Sequence, residues 1–240
     1  MKFKTELHCH TGDVSNCGQE KAEYIVSRYL EAGYTSLMVA DHMSPFTFEG
    51  SRGKYSDYLK ATGKEDSWQT KIDFFLTGYE NLVKAADGRL NIILGMEWRE
   101  FNSQVANDYL VFGVTEEWLR ESEKISQMKM RDMSAYLHES DMLLFQAHPF
   151  RNGMTIIKPK YLDGIEVFNG HNVHQSRNRI ASMWADIYDL KRSSGSDFHE
   201  ASHVCCGGIL TDSPIETTNQ LLETLKSGNY ELVVDYNIAP

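Results

Sequence analysis

Eight short runs with β character alternate with helical patterns along this chain, and that alternation limits the fold more than any other feature. The strand candidates are Phe3–His8, Thr35–Asp41, Leu90–Glu97, Asp108–Val114, Met142–His148, Gly164–Asn169, Lys191–Asp197 and Glu231–Asp235. Leu37-Met38-Val39-Ala40 and Ile92-Ile93-Leu94 are apolar without alternation, as in strands covered on both faces. Helical spacing occupies Gln19–Ala32, Asp66–Asp87, Met130–Ser140, Val173–Leu190 and Glu216–Ser227. In the first of these Tyr24, Ile25, Tyr29 and Leu30 share a side and Gly33 supplies a stop. In the second, Trp68, Ile72, Phe75, Tyr79, Leu82 and Ala86 form a core-facing stripe that ends before Gly88. This βαβα order predicts an α/β fold with a mainly parallel sheet, open or closed into a barrel.

A chain of 240 residues with 41% hydrophobic residues can bury a large core. No repeat, low-complexity tract or linker divides it, so residues 1–240 are expected to form one domain. The longest irregular stretch, Ser44–Glu65, is either a lid or a solvated insertion, and Lys54, Tyr55 and Tyr58 are its candidates for closing over a substrate. With 24 basic and 34 acidic residues the formal charge is −10, which argues against stable binding to duplex nucleic acid. A local cationic site for a small phosphorylated ligand remains compatible with that charge. No apolar run reaches the ~20 residues of a membrane span. Met1-Lys2-Phe3-Lys4-Thr5-Glu6 lacks the apolar stretch of a signal peptide, and the four cysteines (Cys9, Cys17, Cys205, Cys206) make a poor disulfide framework. A cytoplasmic location is the expectation.

The chemistry concentrates at the ends of the predicted strands. His8 and His10 close the first, Asp41-His42 the second, Gly95-Met96-Glu97 the third, Ala147-His148-Pro149 a later one, and Gly195-Ser196-Asp197-Phe198-His199 the last before the terminal helix. A single histidine at a strand end is ordinary. The joint arrangement is not, because C-terminal strand ends of a parallel sheet face one crevice. His8-x-His10 points both rings to one face, and Asp197-x-His199 does so if the chain stays extended there. Imidazoles and carboxylates of this kind bind Zn, Mn or Fe ions, and the two oxygens of Glu97 can bridge a pair.

In these blocks, together with His8-Cys9-His10-Thr11 and Gly164-Ile165-Glu166-Val167-Phe168-Asn169-Gly170, the sequence resembles the PHP family, named for polymerase and histidinol phosphatase. The blocks follow the family's order from residue 3 to about residue 210. The resemblance implies a distorted (βα)7 barrel with two or three divalent metal ions at its C-terminal mouth. His8, His10, Glu97 and Asp197 would hold one ion, Glu97 and His148 its partner, and His42 and His199 would serve a third. Two positions depart from the pattern. Cys17 stands where some relatives have Asp before Gly, and is either a zinc-suited thiolate or a small core residue. Asp108 falls in the strand where many members carry a histidine, and is the expected substitute ligand.

The resemblance further implies hydrolysis of a phosphoester in a small phosphorylated metabolite or nucleotide, with water bridging two cations as nucleophile and Glu97, Asp197 and His199 as catalytic residues. No Gly-x-Ser-x-Gly elbow and no Walker-type glycine loop offers another route. Arg151 follows the His148 block and is the first candidate for phosphate contact; Arg177 and Arg179 come second. His171 and His174 precede their helix and could protonate a leaving group. His203 is placed near the site and His138 in solvent. The alternatives are a catalytically silent metal-binding or regulatory module, an exonuclease-like phosphodiesterase, and hydrolysis of a C–N or C–O bond.

Overall fold

The computed structural model describes residues 2–49, 53–101 and 105–237. The first half of the chain forms β1 (Phe3–Cys9), α1 (Ala22–Glu31), β2 (Ser36–Val39), β3 (His42–Met43), α2 (Pro45–Phe48), α3 (Lys54–Thr62), α4 (Trp68–Ala86), β4 (Asn91–Leu94), β5 (Met96–Arg99) and β6 (Asp108–Phe112). The second half adds α5 (Glu116–Glu121), α6 (Met130–Glu139), β7 (Leu143–Gln146), β8 (Gly164–Asn169), α7 (Asn178–Tyr188), β9 (Lys191–Gly195), β10 (Ile209–Thr211), α8 (Thr218–Ser227) and β11 (Glu231–Leu232). Helix starts follow local chemistry. Ser67 caps α4 by accepting from the Thr70 amide, and Thr217 with Gln220 forms a reciprocal capping box on α8. No helix among the described residues is long and apolar enough to cross a membrane.

The strands make a mixed α/β fold in two sheets, of order β11-β10-β1-β2-β4 and β3-β5-β6-β7-β8-β9. Five pairings are parallel and four antiparallel, so the parallel expectation holds for the larger part, and a closed (βα)7 barrel is not shown among the described residues. One departure lies between β5 and β6, where residues 100–107 are too few for the dozen or more that a parallel crossover needs. β6 therefore returns antiparallel, with Met96 opposite Val111 and Arg99 opposite Asp108. It also runs antiparallel to β7, which resumes the parallel direction beside β8 and β9. The three-residue β10, antiparallel to β1, is too short to show a pattern in sequence. The expected strand Glu231–Asp235 contracts to β11.

The sheets meet where β2 and β4 run on into β3 and β5. There the Gly95 amide donates to Val39 O at 3.1 Å and the Glu97 amide to Asp41 O at 3.0 Å. Across the molecule the end of β1 touches the segment just after β9 through one parallel bridge, Cys9 to Phe198, with His10 N donating to Phe198 O at 3.0 Å. The pairing register slips in β1 between Glu6 and Cys9, and between β8 and β9 at Glu166/Phe168. Such slips re-aim side chains, and both lie at the candidate site.

The stretch from Ser44 to Glu65 is not irregular throughout, since it carries α2 and α3; residues 50–52 lie outside the described residues. Tyr55 is buried against Phe48 and Phe74, Tyr58 packs on Phe74, and Lys54 donates to the Ser15 and Gly18 carbonyls, the latter at 2.8 Å. The tyrosines are thus packing residues of this segment. Gly78 sits inside α4 because a Cβ there would lie 2.5 Å from both Asp41 Oδ2 and Thr11 Oγ1. Gly78→Ala gains helix propensity but overpacks a polar network, so chemical denaturation should show a net loss of about 1–3 kcal/mol.

Candidate metal centre

β1 ends in two histidines whose outer nitrogens are already committed. His8 Nδ1 lies 2.8 Å from Glu166 Oε1, so the ring donates there. His10 Nδ1 lies 3.2 Å from Ser15 Oγ, and that hydroxyl donates onward to Asp41 Oδ1 at 2.6 Å, leaving its oxygen to accept from His10. Asp41 also accepts from Thr11 N at 2.8 Å and from Thr11 Oγ1 at 2.7 Å, which makes it a support for the loop after β1. With both Nδ1 atoms donating, the two Nε2 atoms face each other 3.1 Å apart, fully buried. Two such nitrogens require a positive charge between them, a proton or a cation.

The carboxylates complete the pattern. Asp197 Oδ1 is 3.3 Å from Nε2 of each of His8, His10 and His199. Glu97 divides its oxygens, with Oε1 3.1 Å from His148 Nε2 and 3.5 Å from His8 Nε2. Its Oε2 is 3.0 Å from His42 Nδ1 and 3.4 Å from His10 Nε2. The ligand atoms of His8, Glu97 and His148 lie within 4.8 Å of one another, as do those of His8, His10 and Asp197, of His10, His42 and Glu97, and of His10, Cys17 and His199. The donor set and these spacings fit divalent cations. So do the buried His42 Nδ1 and His199 Nε2, which lie 3.0 and 3.3 Å from carboxylate oxygens without the alignment of a hydrogen bond.

Charge follows the geometry. Burial pushes the Glu97 and Asp197 carboxyls up, yet the surrounding histidines outweigh it and hold both well below their usual range. Burial likewise opposes charge on His8, but Asp197, Glu166 and Glu97 raise its pKa well above the ordinary value. Burial prevails at His42, lowered to about 4, and at His199, lowered to about 2. Cys17 is exposed as a residue, and loss of water around its sulfur, then Asp197 and Glu97, pushes its thiol up to about 12.

The backbone is strained where it presents two of these groups. His148 and Asp197 hold φ of 27° and 50°, a left-handed region that costs a non-glycine residue on the order of 1–3 kcal/mol. The extended path expected through Asp197-x-His199 therefore does not persist, and the two side chains meet across a turn. Glu166 offsets part of this cost. Its Oε2 accepts from His148 N at 2.8 Å and from Asn169 Nδ2 at 3.0 Å, and Asn169 Nδ2 also reaches Asp197 Oδ2 at 3.1 Å. Glu166→Gln should weaken metal affinity about 10–100-fold in a chelator competition titration, because an amide has one acceptor oxygen where Glu166 uses two, so either His8 Nδ1 or the His148 amide loses its partner.

Not every expected residue joins the cluster. Asp108 lies 3.9 Å from His148 Nε2, but Arg99 takes both its oxygens, at 2.5 and 2.7 Å. Asp108 and Arg151 nevertheless line one cavity of about 340 Å³ with Cys17, His42, Glu97, Arg99 and His199. Arg177 does not line it; left-handed at the start of α7, it donates to Phe150 O at 2.6 Å and to Asn152 Oδ1 at 2.5 Å. Arg179 lies over the Tyr236 ring instead. The expected helix from Val173 begins at Asn178, which leaves His171 and His174 in a loop beside His199 and His203. His138 pairs with Asp163 at the surface, 3.1 Å away. Sequence reasoning missed Arg99, although it shares a strand face with Glu97 two residues earlier, and gave no role to Glu166.

Residues 175–230 match the family described as PHP-associated. Over 98% of its length the chain superposes on a two-domain protein from Bacteroides vulgatus containing a predicted PHP-like metal-dependent phosphoesterase, at TM-score 0.61 and 12% identity. The match covers the C-terminal part of the chain, and the superposition shows a PHP-like fold. The chain spans 65% of that two-domain relative. PsfC from Pseudomonas syringae superposes over 92% of this chain and 88% of its own, at TM-score 0.61 and 14% identity. An amidohydrolase from Chromobacterium violaceum, with bound sulfate and no metal, does so over 97% and 99%, at TM-score 0.53 and 13% identity. No curated protein matches this chain in sequence.

Proposed function

We propose that this site is a metal-dependent hydrolase centre acting on a phosphoester of a small substrate. The observation that carries the reading is the pair of His8 and His10 Nε2 atoms, 3.1 Å apart, ringed by Glu97 and Asp197. His8, His10 and Asp197 would hold one cation and His148 a second, with Glu97 between them; His42, His199 and Cys17 are candidates for a third. Bound divalent ions of this class, such as Zn, Mn or Fe, supply an activated water and neutralise charge on the group attacked.

The chain's own residues account for the remainder. Glu166 and Ser15 fix the tautomers of His8 and His10, so that each presents a bare nitrogen inward. Arg151 opens onto the cavity and, 3.5 Å from Asp108, is oriented to pair with phosphoryl oxygens. Arg99, clamped by Asp108, presents an oriented guanidinium on the same wall. A cavity of about 340 Å³ suits a small phosphorylated metabolite or nucleotide better than a polymer.

The relatives' names pair phosphoesterase with amidohydrolase, so the bond cleaved is the feature to test. Protein stripped of metal and reloaded with Zn, Mn or Fe should release p-nitrophenol from p-nitrophenyl phosphate and leave p-nitroacetanilide intact. Cleavage of the anilide alone would overturn the phosphoester reading and retain a hydrolase.

A further inference from the structure

Beside the metal centre lies a second cleft of about 310 Å³, lined by Cys17, His171, Val173, His174, His199, Glu200 and His203. Nitrogens of His171, His199 and His203 come within 4.8 Å of one another, a spacing that would itself accommodate a cation. Their hydrogen bonds argue otherwise. His171 Nδ1 accepts from the backbone amides of Val173 at 3.2 Å and His174 at 3.3 Å. His203 Nδ1 accepts from the His199 amide at 3.0 Å. His174 Nδ1 faces Arg151 Nη1 at 3.3 Å, and a guanidinium can only donate.

A ring that accepts at Nδ1 carries its proton on Nε2, and neither nitrogen then offers a free lone pair to a metal. Three neighbouring imidazoles are thus held as N–H donors. Their Nε2 atoms meet no acceptor among the described residues. His174 is stacked on His171, with ring centroids 3.6 Å apart and planes 2° from parallel, which fixes their relative orientation. Glu200 is the one carboxylate lining the cleft, and its oxygens already accept from Gln19 Nε2 at 2.7 Å and Ser202 Oγ at 2.5 Å.

We propose that His171, His174 and His203 form an anion subsite, which receives a second anionic group of the substrate while the metal centre holds the phosphoester. The proposal rests on the phosphoester reading and narrows it to substrates carrying a carboxylate or second phosphoryl group a few bonds from the scissile one. Arg151 joins the two sites, since it lines the metal cavity and bonds His174.

Two non-hydrolysable probes differ only in that group: propylphosphonate and 3-phosphonopropionate. Calorimetry on the metal-loaded protein should show the second binding about tenfold tighter or more, as hydrogen bonds to a charged group imply. His203→Phe should remove that preference with metal content unchanged, and His203→Gln, which restores an N–H donor, should recover part of it. If His203→Phe does not fold, His171→Leu serves the same purpose. Equal affinities in the unmodified protein would overturn the subsite and leave the phosphoester reading standing. Failure of both probes to bind would overturn the two together. Loss of one metal equivalent in His203→Phe would overturn the donor assignment and make the trio a metal site.

Discussion

Glu97→Gln should lower phosphoester hydrolysis on the order of 10³-fold and release at least one equivalent of metal. The substitution keeps the shape of a residue that is 1% exposed, and removes the charge that four histidines surround. Metal ions contribute several kcal/mol of charge stabilisation, and about 4 kcal/mol corresponds to that factor. Elemental analysis and circular dichroism on the same preparation separate loss of metal from loss of fold. Unchanged metal content with unchanged turnover would remove Glu97 from the centre.

The second large effect is expected one layer below the metal centre, at Glu6. This fully buried carboxylate accepts from the amides of Leu7 at 3.0 Å, His8 at 2.9 Å and Ser196 at 2.8 Å, and from the Ser196 hydroxyl. Ser196 Oγ in turn accepts from Cys206 N at 2.9 Å and Gly207 N at 3.0 Å. Glu6 thereby fastens the histidine strand to the segment that presents Asp197, across the seam where the end of β1 meets the segment just after β9 through one bridge. Glu6→Ala leaves these donors buried without an acceptor, and should cost about 3–5 kcal/mol in chemical denaturation. For a chain of this size that lowers Tm by about 6–20 °C. A loss below about 1 kcal/mol would mean that the seam does not depend on Glu6.

Residues at strand ends were the most legible part of this chain. His8, His10, His42, Glu97, His148, Asp197 and His199 lie far apart in sequence, yet the rule that strand ends converge brings them together. Legibility fails where tertiary geometry overrides the local pattern. Nothing in Asp108–Phe112 says which way that strand runs; only the shortness of the preceding connection does. The position of Asp108 points to a ligand, whereas its bidentate partner Arg99 is visible only once the hairpin is formed. Arg177 and His171 are near neighbours in sequence, but a left-handed residue starting α7 turns the arginine to the 150–152 loop while His171 stays in the cleft. Positive φ at His148 and Asp197 has no signature in sequence, because it is imposed by the hydrogen bonds of Glu166, Asn169 and Glu6 around them.

The most direct test of the account is metal content by elemental analysis, on protein purified without chelator, with p-nitrophenyl phosphate hydrolysis assayed on the same sample. The account predicts two or three equivalents of Zn, Mn or Fe, with hydrolysis that falls on chelation and returns on reloading. Less than one equivalent after metal is added back, with no hydrolysis, would contradict it and leave the facing histidines of β1 as a protonated structural pair.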